Sequence, residues 1–163
     1  MTHSGKPAAA FPPNGSFVAR RRVEFRDTDA AGIAHFSAFF VWMESAEHEL
    51  LRDSGIHLVE RVGEGTGETI SWPRVSAACD YLSAVRFNDE LEIAVGVESI
   101  GRTSVSWAFH FRSAGRDVAR GKVVSVRCRI RPDAAPEAVP IPDAVRARLA
   151  ERHLPAAGER GSG

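Results

Sequence analysis

The run Asp27-Thr28-Asp29-Ala30-Ala31-Gly32-Ile33-Ala34-His35-Phe36 sets two carboxylates and a glycine turn directly ahead of a strongly helical apolar segment. A carboxylate held at such a turn can be aimed at a carbonyl carbon. Backbone N–H groups at the start of the following helix are unpaired and stand at the positive end of its macrodipole, so they can polarise the carbonyl oxygen. That combination suits hydrolysis. The plainer reading of an Asp before Ala-Ala-Gly is a turn residue whose carboxylate caps local N–H groups, and for Asp27 that reading stands.

The elements that must hold these residues are legible in the pattern. Residues 37–53 contain no proline or glycine, and Phe39, Trp42, Met43, Ala46 and Leu50 recur at spacings of three and four, which predicts one apolar helical face. Ser37 is placed to cap the start and Gly55 to end the helix as the C′ residue. Glu44, Glu47, His48, Glu49 and Arg52 read as a solvated flank of that face.

Beyond Gly55 the period changes to two. Leu91, Ile93, Val95 and Val97 alternate with mainly polar or small residues, and Val105, Trp107, Phe109 and Phe111 repeat the pattern after the short connection Ile100-Gly101-Arg102-Thr103. A turn at Ala114-Gly115-Arg116-Asp117 leads to a third run over 118–130, with Gly121 expected to mark a bulge. Residues 69–85 read as one long strand that Pro73 places at an edge or kinks, and 17–25 as an opening strand. One helix and about five strands, each with one apolar face, predict an α+β domain with an antiparallel sheet packed on the helix.

The 163 residues suit a single domain over 16–131, flanked by tails over 1–15 and 132–163, with a short helix expected within 143–152. Lys plus Arg equals Asp plus Glu at 21 each, so no global charge favours nucleic acid or a membrane. Arg20-Arg21-Arg22 is the one basic cluster, and in an alternating strand it divides between two faces. No apolar run suggests a secretory signal or a membrane span, which makes a cytoplasmic location the default expectation. Cys79 and Cys128 read as reduced residues in apolar strands. The six histidines lack metal-ligand spacings, so neither a metal nor another cofactor is expected.

The segment Phe25-Arg26-Asp27-Thr28-Asp29-Ala30-Ala31-Gly32-Ile33 resembles the aspartate signature of hotdog-fold acyl-CoA thioesterases of the 4-hydroxybenzoyl-CoA thioesterase group. The helix segment Trp42-Met43-Glu44-Ser45-Ala46 and the exit Leu51-Arg52-Asp53-Ser54-Gly55-Ile56 extend the resemblance, with weaker matches at Arg86-Phe87-Asn88-Asp89-Glu90-Leu91 and Ile100-Gly101-Arg102-Thr103-Ser104. It implies a hotdog fold, a long central helix wrapped by a curved antiparallel sheet. It also implies homodimers or homotetramers joined edge to edge, with sites at the dimer interface. By position Asp29 matches the catalytic aspartate, and Phe36 supplies the backbone N–H that receives the thioester oxygen. His35 and Phe36 depart from the tyrosine and histidine frequent at these positions.

An acyl-CoA is the implied substrate. A thioester carbonyl is electrophilic and its thiolate leaves readily, so one carboxylate suffices: Asp29 either attacks to give a mixed anhydride or serves as general base to a water. Gly32, Ile33, His35, Phe36, Phe39 and Phe40 are candidate lining residues for the acyl group, although the aromatics serve equally as core. Arg74 and Arg86 are candidates for the coenzyme A phosphates, against a reading as ordinary strand charges. Glu44 and Ser104 stand second, as an alternative helix base and a hydroxyl that holds water. Two rivals remain: a non-catalytic acyl-CoA binding or sensing protein, and a hotdog hydratase or dehydratase, whose aspartate–histidine pattern is not matched by the Asp29 to His35 spacing.

Overall fold

The stripe of apolar residues after Ser37 forms helix α1 (Ala38–Asp53) and buries Phe39, Trp42, Met43, Ala46, Leu50 and Leu51. In this computed structural model, which describes residues 10–155, Ser37 occupies the N-cap position, but its hydroxyl meets His35 Nδ1 at 2.7 Å instead of capping. At the other end Gly55 takes φ +65°, and the N–H groups of Gly55 and Ile56 donate to the carbonyls of Arg52 and Leu51, a Schellman closure.

Among the described residues, nine strands divide between two antiparallel sheets. The first has the order β1 (Phe17–Arg22), β5 (Glu90–Ile100), β6 (Ser104–Ser113), β7 (Arg116–Val126), β4 (Arg74–Tyr81). The second contains β2 (Glu60–Val62), β3 (Glu68–Ser71), β8 (Cys128–Arg131) and β9 (Ala134–Ala138). The inward residues of β5, β6 and β7, among them Leu91, Ile93, Val95, Val105, Trp107, Phe109, Phe111 and Val118, form one core with the α1 stripe. Both cysteines are free.

Several expectations require correction. The opening strand ends at Arg22, and Phe25–Asp27 forms a 3-10 turn closed by reciprocal side-chain caps between Glu24 and Asp27. The long strand over 69–85 is two strands in different sheets, because Trp72-Pro73 breaks the ladder and lets β3 pair with β8 while β4 pairs with β7. The run over 118–130 is likewise cut at Arg127 into β7 and β8. The helix and the five-stranded sheet are therefore not the whole architecture, which includes the second sheet and α2 (Asp143–Ala150). Within the segment read as a C-terminal tail, α2 lies inside the 143–152 span expected to hold a short helix, but β9 also forms, Ile141 and Leu149 are buried, and Val97 exchanges hydrogen bonds with Arg152 and Leu154. Residues 1–9 and 156–163 of the expected tails lie outside the described residues.

Gly121 is no bulge. It pairs in register with Phe109 on one side and Cys79 on the other, and a Cβ there would lie 2.1 Å from Met43 Sδ. The missing side chain is what lets α1 approach the sheet, so volume added at this point overpacks a sealed core. Gly121→Val is expected to destabilise the fold by about 1–3 kcal/mol. The check is denaturant unfolding beside a Met43→Ala/Gly121→Val double variant, which should recover part of the loss if the two side chains compete for one space.

Candidate functional site

Asp29 is positioned by a short closed loop. Its N–H donates to the Ile33 carbonyl at 3.0 Å, the Gly32 N–H donates to the Asp29 carbonyl at 2.9 Å, and the Ala31 N–H donates to Asp29 Oδ1 at 2.8 Å. Gly32 permits this turn by taking φ +71°. The loop is tied to the body where the Ala34 N–H reaches the Val85 carbonyl at 2.8 Å and the His35 N–H reaches the Asp27 carbonyl at 2.7 Å. Asp27 itself turns back to accept the Glu24 N–H at 2.9 Å, which leaves Asp29 as the outward member of the pair.

Asp29 opens onto a pocket of about 350 Å³ that Ile33, Ala34, Phe36, Phe39 and the segment Tyr81-Leu82-Ser83-Ala84-Val85 complete. The walls are mainly apolar, with Asp29 their one charged side chain. Tyr81, which is not among the residues that the sequence pattern nominates, packs edge-on against Phe39 at 5.1 Å, and its hydroxyl donates to the Phe36 carbonyl at 3.0 Å. Phe36, a lining residue of the pocket, precedes α1, and its N–H makes no hydrogen bond among the described residues. The alternation of β4 is a signal for Tyr81, but its pairing with the helix start is a tertiary contact.

The other candidates divide. Ile33, Phe36 and Phe39 line this pocket. Gly32 shapes its loop, and Arg86 lies beside that loop with Nη1 3.5 Å from the Gly32 carbonyl. His35 stacks on Phe36 at 4.4 Å and bonds Ser37, so its ring is occupied locally. Ser104 begins β6, seven residues from the Phe111 that touches Phe39, or about 23 Å along the strand. It does not join Asp29 within the protomer.

Phe40, Glu44 and Arg74 belong to a second pocket, of about 230 Å³, shared with Val41, Glu47, Ala77 and Val123. Here Arg74 is the hub: Nη1 lies 3.2 Å from Glu44 Oε1, Nη2 lies 3.2 Å from Glu47 Oε2, and Nη2 meets His48 Nε2 at 2.8 Å. Glu47, expected on a solvated flank, is 0% exposed. Burial pushes its carboxyl up to about 7 against the opposing pull of Arg74, and burial followed by the Arg74 charge lowers His48. A further depression of about 520 Å³ beside β1 is lined by Arg20, Arg21 and Arg22 together with Glu90 and Glu92, and the arginines pair with Glu92, Glu49 and Glu90 respectively. The basic cluster is thus internally neutralised.

Known proteins share this architecture. A 1,4-dihydroxy-2-naphthoyl-CoA hydrolase from a Synechococcus species is 32% identical over 100 residues, covering 61% of this chain and 76% of that protein. The structure of a gentisyl-coenzyme A thioesterase superposes with a TM-score of 0.68 at 29% identity, covering 82% of this chain and 99% of that one. The fold is also that of a 1,4-dihydroxy-2-naphthoyl-CoA thioesterase from Synechocystis, with a TM-score of 0.69 at 20% identity over 83% of this chain and 96% of that one. A family model described as Thioesterase-like superfamily matches residues 23–149, a span that holds the Asp29 loop, α1 and the five-stranded sheet except β1. The two-sheet α+β architecture around an Asp-bearing loop at a helix start is therefore that of a hotdog thioesterase, and the chain belongs to the thioesterase-like superfamily.

Proposed function

We propose that the protein hydrolyses an acyl-CoA thioester to the free acid and coenzyme A, with Asp29 as the reacting carboxylate. The observation that carries this reading is that Asp29 and Phe36, whose N–H is unpaired among the described residues, line one apolar pocket. The acyl group enters between Phe39, Ile33 and Tyr81. The Phe36 N–H receives the oxygen as charge develops on it, and Asp29 either attacks the carbonyl carbon or takes a proton from an attacking water. Arg86, exposed beside the Gly32 turn, lies where the phosphates of the carrier would pass.

A homodimer completes the reading. The two edges of the five-stranded sheet differ: β1 carries Arg20, Arg21 and Arg22, a charged edge of the kind that resists pairing, whereas β4 offers Ser76, Ala77 and Ala78 exposed and uncharged. Phe36, Val41, Val75, Tyr81 and Leu82 are exposed around that second edge. Antiparallel pairing of β4 with its copy would satisfy the open ladder and cover those side chains.

Thiol release from a panel of aromatic and aliphatic acyl-CoAs tests the activity, and sedimentation tests the dimer. An absence of release across the panel, with tight ligand binding retained, would transfer the assignment to an acyl-CoA binding protein. Tyr81→Phe offers a finer check on the donor. Loss of its hydroxyl frees the Phe36 carbonyl, and a hydrogen bond of about 0.5–1.5 kcal/mol predicts a roughly three- to tenfold lower kcat with little change in KM.

A further inference from the structure

We propose that Arg116, which does not line the Asp29 pocket, is a positioning residue for the substrate: it braces the irregular wall of that pocket together with the turn that carries Arg86, and so sets affinity without entering the chemistry. This rests on the thioesterase reading. One side of the pocket, with Ile33, Ala34, Phe36 and Phe39, belongs to the closed loop and α1. The other side leaves β4 after Tyr81 and reaches β5 without helix or strand. Residues 82–89 therefore owe their place to individual bonds made outside any ladder.

Four of those bonds go to one place, the start of β7 just after the Ala114-Gly115 turn. The N–H groups of Leu82 and Ser83 donate to the Val118 carbonyl at 2.8 and 3.1 Å, and the Ser83 hydroxyl donates to the Asp117 carbonyl at 2.6 Å. Arg116 Nη2 donates to the Ala84 carbonyl at 2.8 Å. The same nitrogen lies 3.9 Å from Asp89 Oδ2, the oxygen that accepts the Arg86 N–H at 2.8 Å and closes the 86–89 turn. One half-exposed guanidinium thus supports the acyl wall and, through Asp89, the arginine beside the Gly32 turn. The reacting groups are held by other means. Asp29 is fixed by Ala31 and Ile33, and Tyr81 by its pairing with Ala119 across the sheet. Loss of Arg116 releases the Ala84 stretch while the carboxylate and the Tyr81 contact to Phe36 stay in place. Bound substrate and transition state then lose the same support, which raises KM and leaves kcat.

The test measures kcat and KM for thiol release from straight-chain acyl-CoAs, acetyl to decanoyl, and from benzoyl-CoA, on the full chain. Arg116→Met should raise KM for the best substrate about three- to tenfold, with kcat within about twofold of wild type. Ser83→Ala should move KM the same way, and Arg116→Lys, which keeps a cationic donor, should recover part of the loss. Arg112→Met is the control, because Arg112 bonds the Gly115 carbonyl of the same turn and no wall residue. Its KM should stay near wild type. A fall in kcat at constant KM, no change in either constant, no recovery with Arg116→Lys, or an equal effect of Arg112→Met overturns the inference. A second measurement frees the result from turnover: the same acyl-CoAs are titrated into Asp29→Asn with and without Arg116→Met, and the added substitution should weaken binding three- to tenfold. Unchanged binding overturns the role of Arg116 and leaves Asp29-dependent hydrolysis standing. Hydrolysis that persists in Asp29→Asn fails the thioesterase reading built on Asp29, while weakened binding in the double variant still supports Arg116. Absence of binding by every acyl-CoA overturns both.

Discussion

Asp29→Asn is expected to lower thiol release from acyl-CoA by about 10²- to 10⁴-fold while leaving the fold intact. The argument is local. The Asp29 side chain makes one hydrogen bond, accepted by Oδ1 from the Ala31 N–H, and an Asn carbonyl can accept the same bond, so the Gly32 turn and its ties to Ile33 and Val85 survive. What disappears is the carboxylate, and with it both the nucleophile and the base. Asp29→Ala removes the turn bond as well, so a comparison of the two variants separates loss of chemistry from loss of loop geometry. Equal turnover by wild type and both variants would exclude Asp29 and direct attention to Glu44. Single-turnover hydrolysis in isotopically labelled water probes the route, because label in the Asp29 carboxyl group requires an anhydride that water opens at the aspartyl carbon, a product general-base catalysis cannot give.

How much of this is legible in the amino-acid sequence depends on how local the determining contacts are. The loop around Asp29 is readable because its hydrogen bonds run between residues two to four apart, and α1 because its stripe recurs within single turns. The hairpin of β5 and β6 is readable for the same reason. Trp72-Pro73 marks a break, but the transfer of β3 to a second sheet depends on β8, whose pairing partner lies far along the chain. Gly121 carries no sequence mark that separates a bulge from a close approach, since Met43 decides it from another element. Glu47 is the most instructive case. It stands four residues after Met43 and four before Leu51, both buried, so its position on the stripe is visible. The reading of it as solvated follows from residue type, and what overrides type is Arg74, a cation delivered by a strand.

That buried carboxylate predicts an unusual pH dependence. Glu47 titrates at about 7 in the folded protein against an ordinary value of 4.5, because burial disfavours its charge more than Arg74 favours it, with Glu44 adding to the rise. Between those two values the folded state holds a proton that the unfolded state has released. The stabilising contribution of this proton is therefore complete below about pH 4.5 and is lost as pH rises through 7. A separation of that size corresponds to about 3 kcal/mol, felt in full by pH 8 and above. Two histidines, His48 beside Arg74 and His110 beside Asp117, act in the opposite sense: burial lowers both, so each adds stability as pH rises past its folded value. The difference between variants is consequently the measurement to make. Glu47→Gln keeps the shape of the protonated carboxyl and abolishes its titration. Urea unfolding at pH 5 and pH 8 should find Glu47→Gln gaining on wild type by up to about 3 kcal/mol across that interval, less whatever Arg74 loses when only Glu44 remains to balance it. Arg74→Met should move the other way, deepening the wild-type loss at pH 8 by stranding the carboxylate. Parallel stability curves for wild type and Glu47→Gln would mean that Glu47 does not hold its proton in the folded state, and the account of a buried carboxyl sealed between α1 and β4 would fall with it.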